Sequence, residues 1–523
     1  MIHFIPAWYN PTRPWYSAYS VWFEAAASAE SDDTVTQLRV FQQGSEDVGL
    51  IVLNYAPSLR RFLHSQNVFD VPYWSLFDQI QGLENDYTRP LDFLKLEWPE
   101  DVSFYYNPFV VTVMQDNDVY ARVLLALGGT LRSIRYYADG LTTLERIFDD
   151  RGFLSSVLMY DEDGQAITQY YLSRTGDVIL SEDLPSGHID VLQNEDRFQS
   201  QSYDRWEDLI AEFLGAHLRQ RSGEGDTVVL ALSAQHNELV RSVLEDQTLV
   251  LSRLGGKPAN ASSDLLQRAG AVFSGIAPAA DDDSAEQADE WMFLPELSIY
   301  PLEHRPTFGA SANESKVYVS LFVDNLTTED LDYAIAMMAG VLVGDDRTRL
   351  LPLTFRSRDL DYLRGIRGVI NGYQHLDLAL LGGDETAGLG ADLGVADGPE
   401  EKIQLTFVDG EADLIRTIGR SRVLIDLGST VNHRLAVEAV SAGVPQVNRS
   451  EQELCTHPIN GYVIGDDSEL PTAVSYFLSG LEHWNQSLVQ CRVLEDLFSA
   501  QEVLNRWGLI KEVAAYAGPA DRV

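Results

Sequence analysis

The residues best placed to do chemistry lie between 421 and 465, in SRVLIDLGSTVNHRLAVEAVSAGVPQVNRSEQELCTHPINGYVIG. Arg422-Val423-Leu424-Ile425-Asp426-Leu427 is a short apolar run of the kind a buried parallel strand gives. Gly428-Ser429-Thr430 reads as a turn. Leu435, Ala436, Ala439 and Val440 recur at helical spacing, so 431–442 reads as a helix carrying one carboxylate, Glu438. Gly443 stops that helix as a left-handed cap, Pro445 prevents its restart, and 444–447 begins a new strand. Sheets built from such units bind ligands beyond the carboxyl ends of their strands. A second set is cationic: Arg347, Arg349, Arg356, Arg358, Arg364 and Arg367. Arg356 and Arg358 follow the end of a predicted strand at 349–355, where guanidinium groups can neutralise an anion. Salt bridging on an acidic surface is the other reading of these arginines.

Other chemistries lack their residues. There is no G-x-S-x-G, no P-loop and no H-E-x-x-H, and Asp281-Asp282-Asp283 has no strand before it to make a metal site. Cys455 and Cys491 belong to no C-x-x-C pair, so neither a zinc site nor a disulfide framework is expected. No metal or cofactor is predicted. His217 lies on the apolar face of a helix and reads as a satisfied histidine. His236 follows the buried strand 227–232, which suits a site, but a polar helix-entry loop explains it as well.

The elements that must hold these residues follow from composition and period. The chain has 523 residues, 45% of them hydrophobic, and a net charge of −41. That is enough for several cores, and acidic enough to repel nucleic acid and anionic lipid. No apolar run is long enough to span a membrane and the N-terminus is not a signal peptide, so a cytoplasmic protein is expected. A strand at 2–7 leads into Trp8-Tyr9-Asn10-Pro11-Thr12-Arg13-Pro14-Trp15-Tyr16, a glycine-free loop that either fills space as an aromatic plug or offers a sugar-stacking or protein-contact surface. A helix is predicted over 15–27. From 91 to 191 short alternating runs are punctuated by turns such as Asp116-Asn117 and Asp139-Gly140, which predicts an antiparallel meander. Acidic loops are expected at 277–290 and 382–400. Alternating strands and helices return from 316, and the chain ends in helices.

Two resemblances follow from particular words. Glu438-Ala439-Val440-Ser441-Ala442-Gly443-Val444-Pro445 resembles the E-A-x-x-x-G-x-P segment of retaining glycosyltransferases with the GT-B fold. In that family the Glu holds the ribose of the sugar nucleotide, and a second Glu eight positions earlier sits against the donor sugar. Here the earlier position is Thr430. The resemblance implies a vestigial nucleotide-sugar site of Glu438, Thr430, Gly443, Arg356 and Arg358, without an assigned catalytic residue.

The second resemblance spans nearly the whole chain. Phe4-Ile5-Pro6-Ala7-Trp8-Tyr9, Arg13-Pro14-Trp15, Leu53-Asn54-Tyr55-Ala56-Pro57, Arg60-Arg61-Phe62-Leu63-His64 and Tyr73-Trp74-Ser75-Leu76-Phe77-Asp78 together resemble the first of the three accessory Sec system proteins of the Asp family. This implies an α/β, GT-B-like fold: two Rossmann-like domains (1–90 plus 192–290, and 291–480), an antiparallel β-sheet domain inserted at 91–191, and helices at 481–523 that cross back. It implies a non-catalytic component that works with two sister proteins and the accessory Sec ATPase to export a glycosylated serine-rich repeat adhesin, in the cytoplasm or recruited to the membrane-bound translocase. An active retaining glycosyltransferase that modifies the adhesin is the alternative.

Overall fold

The computed structural model describes residues 1–10, 12–17, 32–83, 89, 91–107, 110–126, 129–193, 195–221, 225–253, 261–274, 296–298, 301–356, 359–373, 402–408, 410–429, 431–450 and 452–516. Three large sheets organise them. The first has seven parallel strands in the order Glu296–Ser298, Ala269–Ser274, Thr248–Arg253, Thr227–Ala231, Ile2–Ile5, Val48–Val52 and Tyr73–Ser75. Helices cover both faces, so strands such as Val48–Val52 and Thr227–Ala231 are buried at every residue. Their unbroken apolar runs are the consequence.

The second sheet is a meander of ten antiparallel strands in chain order, from Ser103–Tyr106 to Ser202–Tyr203. Asn117 and Gly140 take φ of 79° and 80°, the left-handed backbone that tight hairpin turns need. One end of the meander joins the core of the first sheet: Tyr171, Ile179, Leu180 and Ile189 share a cluster with Ile5, Ile51 and Leu230. The other end has a small core of its own, in which Val111, Val113, Ala121, Val123 and Ile134 pack with Trp98 of the leading segment.

The third sheet has six parallel strands: Thr406–Phe407, Thr348–Thr354, Val317–Phe322, Ser421–Asp426, Gln446–Asn448 and Gly461–Val463. Helix Glu482–Leu497 lies on this side, with Cys491 and Leu494 against Ala436 and Val440. Helix Ala500–Tyr516 instead reaches the first sheet. Its Trp507 is 1% exposed and sits 5.2 Å from Phe41 and 6.1 Å from Phe273, ring to ring. Among the described residues no helix is long and apolar enough to cross a membrane.

One local expectation is corrected. Arg13–Ser17 is a strand, not the start of a helix at 15, and it pairs with Tyr9–Asn10. Tertiary pairing overrides the local period here, because Tyr55 N–H donates to the Trp15 carbonyl at 2.8 Å. Residues 18–27 of that predicted helix, and the acidic loops at 277–290 and 382–400, lie outside the described residues.

Candidate functional site

The unit at 421–465 forms with the predicted elements: strand Ser421–Asp426, helix His433–Ala442 and strand Gln446–Asn448. Asn432 caps the helix by accepting Leu435 N–H at 3.2 Å. Gly443 ends it at φ 71° and hands its N–H back to the last turn. A methyl group at Gly443 would also lie 2.6 Å from Leu488 Cδ2 and 3.1 Å from the Phe308 ring, so the glycine lets two layers approach.

Glu438 is 4% exposed, and its charge is met from within the chain. Arg305 donates to its Oε2 from Nε at 3.2 Å and from Nη2 at 3.1 Å. The arginine is held by its own backbone, whose N–H donates to Ser441 O at 3.1 Å, and by an ion pair with Glu303 at 3.1 Å. Gly309 N–H adds a bond to Ala442 O at 2.9 Å, so the segment 303–309 is laced along the end of the helix. Arg305 was not among the sequence candidates, since it lies 133 residues from its partner in a stretch with no periodic signal.

The carboxyl ends of the third sheet's strands are equally occupied. Asp426, 1% exposed, accepts Gly428 N–H at 3.1 Å and Asn432 N–H at 2.6 Å. Burial pushes its carboxyl above the usual range, and these N–H groups pull it back. Backbone N–H groups in a strand-to-helix turn are where such folds receive phosphate; here the chain's own carboxylate takes them. Asp324 does the same one strand over, accepting Phe355 N–H at 2.8 Å, Thr354 Oγ1–H at 2.5 Å and Tyr362 Oη–H at 3.1 Å. Arg356 pairs with Asp359 at 2.5 Å and lies 4.0 Å from the Tyr362 ring. Arg347 and Arg364 pair with Asp345 and Asp361, and Arg349 donates to Asp346 O at 2.7 Å. Arg449, a further cation at this edge, is taken by Asp467 at 2.5 Å and the Leu427 carbonyl at 2.6 Å. Thr430 and Arg358 lie outside the described residues. Asp426 carried a readable signal, an Asp at a strand end before Gly-Ser, which is an Asx-turn pattern.

The glycine-free first loop is filled as an aromatic plug. Trp8 and Trp15 are buried, and their indole N–H groups donate to Asp32 at 2.7 Å and Glu207 at 3.0 Å. The loop also ties the first sheet to the meander. Glu182 accepts from Arg13, Tyr171 and Trp206, each at 2.8 Å, and Gln169 donates to Tyr16 Oη at 2.5 Å. His236 proves to be a satisfied core histidine. Its Nε2 donates to the Ala231 carbonyl at 2.6 Å, and its Nδ1 accepts from Tyr9 Oη–H at 2.5 Å. Burial lowers its pKa to about 4. His217 stacks on Trp74 at 4.4 Å.

Two further sequence words meet in a charge cluster. Arg60 reaches Asp149 at 2.8 Å, Asp150 at 2.5 Å and Asp78 at 3.3 Å. Arg151 reaches Asp78 at 2.7 Å and Asp149 at 2.8 Å. Five ionic side chains thus bind two helices of the first layer to one turn of the meander.

Two parallel α/β sheets with a ligand-type edge on the third sheet define the class as GT-B glycosyltransferase-like. The pneumococcal O-GlcNAc transferase GtfA, solved with UDP and GlcNAc, shares this fold at a TM-score of 0.68 and 12% identity, over 98% of this chain and 99% of that one. The chain belongs to the family of the first Asp accessory Sec system protein, whose family model matches residues 1–513. It is similar to the accessory Sec system protein of that name from Streptococcus gordonii, with 28% identity over 97% of this chain and 98% of the relative. It is also similar to a chain in the crystal structure of accessory secretory proteins 1, 2 and 3 from Streptococcus pneumoniae, with a TM-score of 0.78 and 25% identity over 99% of this chain and 100% of that one.

Proposed function

We propose that this chain is a non-catalytic component of the accessory Sec export system. In this reading it assembles with two sister proteins and the accessory Sec ATPase and helps export a glycosylated serine-rich repeat adhesin. It works in the cytoplasm and is recruited to the membrane-bound translocase. Membership of the family and the three-protein structure of a relative support the assembly.

The observation that carries the non-catalytic part is the pairing of Glu438 with Arg305. A donor site needs a carboxylate free for ribose hydroxyls and N–H groups or cations free for a diphosphate. Here the carboxylate has a guanidinium, Asp426 has the turn N–H groups, and Arg356 has Asp359. Glu438, Thr430, Gly443, Arg356 and Arg358 are then the remains of a nucleotide-sugar site turned to structural use. The same reading divides the chain into Rossmann-like domains at 1–90 plus 192–290 and at 291–480, with the meander domain at 91–191 and the terminal helices at 481–523. The strands of the three sheets follow that division except for two: Ser202–Tyr203 belongs to the meander and Glu296–Ser298 to the first sheet, so those bounds lie further along the chain than 191 and 291.

Calorimetric titration with UDP and UDP-sugars tests it, with Glu438→Ala as control. No heat of binding at millimolar ligand is expected from either protein. Micromolar binding that the substitution abolishes would overturn the reading and establish a live donor pocket.

A further inference from the structure

The two ends of the meander are finished differently. At one end the edge strand is Ser202–Tyr203, two residues long, with Tyr203 buried and its hydroxyl bound to Glu212 of the following helix at 2.6 Å. That edge is short and covered, as sheet edges in stable proteins usually are. At the other end the edge strand is Ser103–Tyr106. Among the described residues it pairs with Val110–Gln115 on one side only, over four residues and without a bulge, whereas the next pair, Val110–Gln115 with Asp118–Leu125, shifts register. Ser103–Tyr106 contains no Lys and no Pro to blunt it. Tyr105 is 60% exposed and Tyr106 64%.

The surroundings of this edge say what would cover it. Phe104 and Tyr106 alternate onto the face that carries the small core, with Phe93 at 6.1 Å and 6.5 Å from their rings. An incoming strand would bring apolar side chains to that face at every second residue. The flanks are acidic. Gln115 donates to Asp101 at 3.0 Å, which brings the turn containing Asp116 and Asp118 beside Glu100 and Asp101 at the Ser103 end. Asp92 and Glu97 are exposed on the leading segment, where the one cation is Lys95, itself 3.8 Å from Asp92. Charge complementarity therefore selects a basic occupant.

We infer that Ser103–Tyr106 is the docking edge for an extended segment of a sister protein, added as an eleventh strand, with apolar residues alternating beside Phe104 and Tyr106 and Lys or Arg facing Asp101 and Asp116. The inference rests on the assembly proposed above. Main-chain bonds supply most of the affinity in such strand addition, and the flanking charges set orientation and selectivity.

Hydrogen exchange of the full chain, alone and in the purified complex with both sister proteins, tests it. Amides in 103–107 are expected to slow at least 10-fold in the complex. Tyr105→Lys, which puts a cation against the basic strand, is expected to weaken assembly at least 10-fold, while Tyr105→Glu keeps it. A complex that forms with exchange at 103–107 unchanged overturns the docking edge and leaves the assembly standing. Failure to form any complex overturns the assembly and the edge together. Slowing that depends on this chain's own concentration, without the sister proteins, assigns the edge to a second copy and overturns the proposal.

Discussion

Arg305 closes on Glu438 through two N–H groups, at 3.2 Å and 3.1 Å, and so turns the one carboxylate with transferase spacing into half of an internal ion pair. The side chains are 20% and 5% exposed, so the pair is largely removed from water. Its role is to fasten the segment 303–309 to the end of helix His433–Ala442, on the side where helix Glu482–Leu497 packs.

Arg305→Ala strips a buried carboxylate of its guanidinium and is expected to destabilise the protein by about 3 kcal/mol. Replacing both partners with apolar residues, Arg305→Met with Glu438→Leu, is expected to recover most of that loss. Urea unfolding of the two variants measures it. Equal losses in both would mean that the pair matters for something other than charge compensation.

Gly443→Ala meets two obstacles, the positive φ of 71° and an overlap with Leu488 Cδ2 at 2.6 Å. Together they are expected to remove about 2–3 kcal/mol. In a Leu488→Ala background the overlap is relieved and only the backbone term remains, about 1 kcal/mol. A double-mutant cycle by thermal unfolding separates them, and additivity would show that Leu488 plays no part.

His236 makes stability depend on pH in one direction. Its pKa falls from 6.5 to about 4 on folding, because burial disfavours the cation. Below pH 6.5 the unfolded chain takes up a proton that the folded chain refuses, so stability drops as the pH falls from 6.5 towards 4. The difference of pKa corresponds to a loss of about 3 kcal/mol by the lower end. His433, also buried and lowered to about 3, adds to the same window. His236→Gln is expected to flatten the profile between pH 6.5 and 4 relative to the parent, measured by urea midpoints. An unchanged profile would place the titration elsewhere.

Much of the architecture was legible because it rests on local patterns. Buried parallel strands such as Thr227–Ala231 must be apolar on both faces, and the meander must alternate and turn at residues that tolerate left-handed backbone. The Gly443 cap was readable for the same reason, since a helix followed by Gly-Val-Pro has one way to end. The strand Arg13–Ser17 was not, because its local period reads as a helix while the folded chain pairs it with Tyr9–Asn10 and adds a bridge from Tyr16 to Tyr55.

The residue types of the candidate site were visible in the chain, and what they do was not. Type and spacing put Glu438 on the right helix and Arg356 after the right strand. Whether those groups are open to a ligand depends on what faces them, and the facing residues are Arg305, Asp359 and Tyr362. The same holds for the charged residues of the N-terminal words. Arg60 and Asp78 come from separate words and meet only where Asp149, Asp150 and Arg151 of the meander close the cluster between them. Local pattern follows from burial and backbone geometry within a few residues, whereas the occupation of Glu438 depends on Arg305, brought to it by folding from 133 residues away.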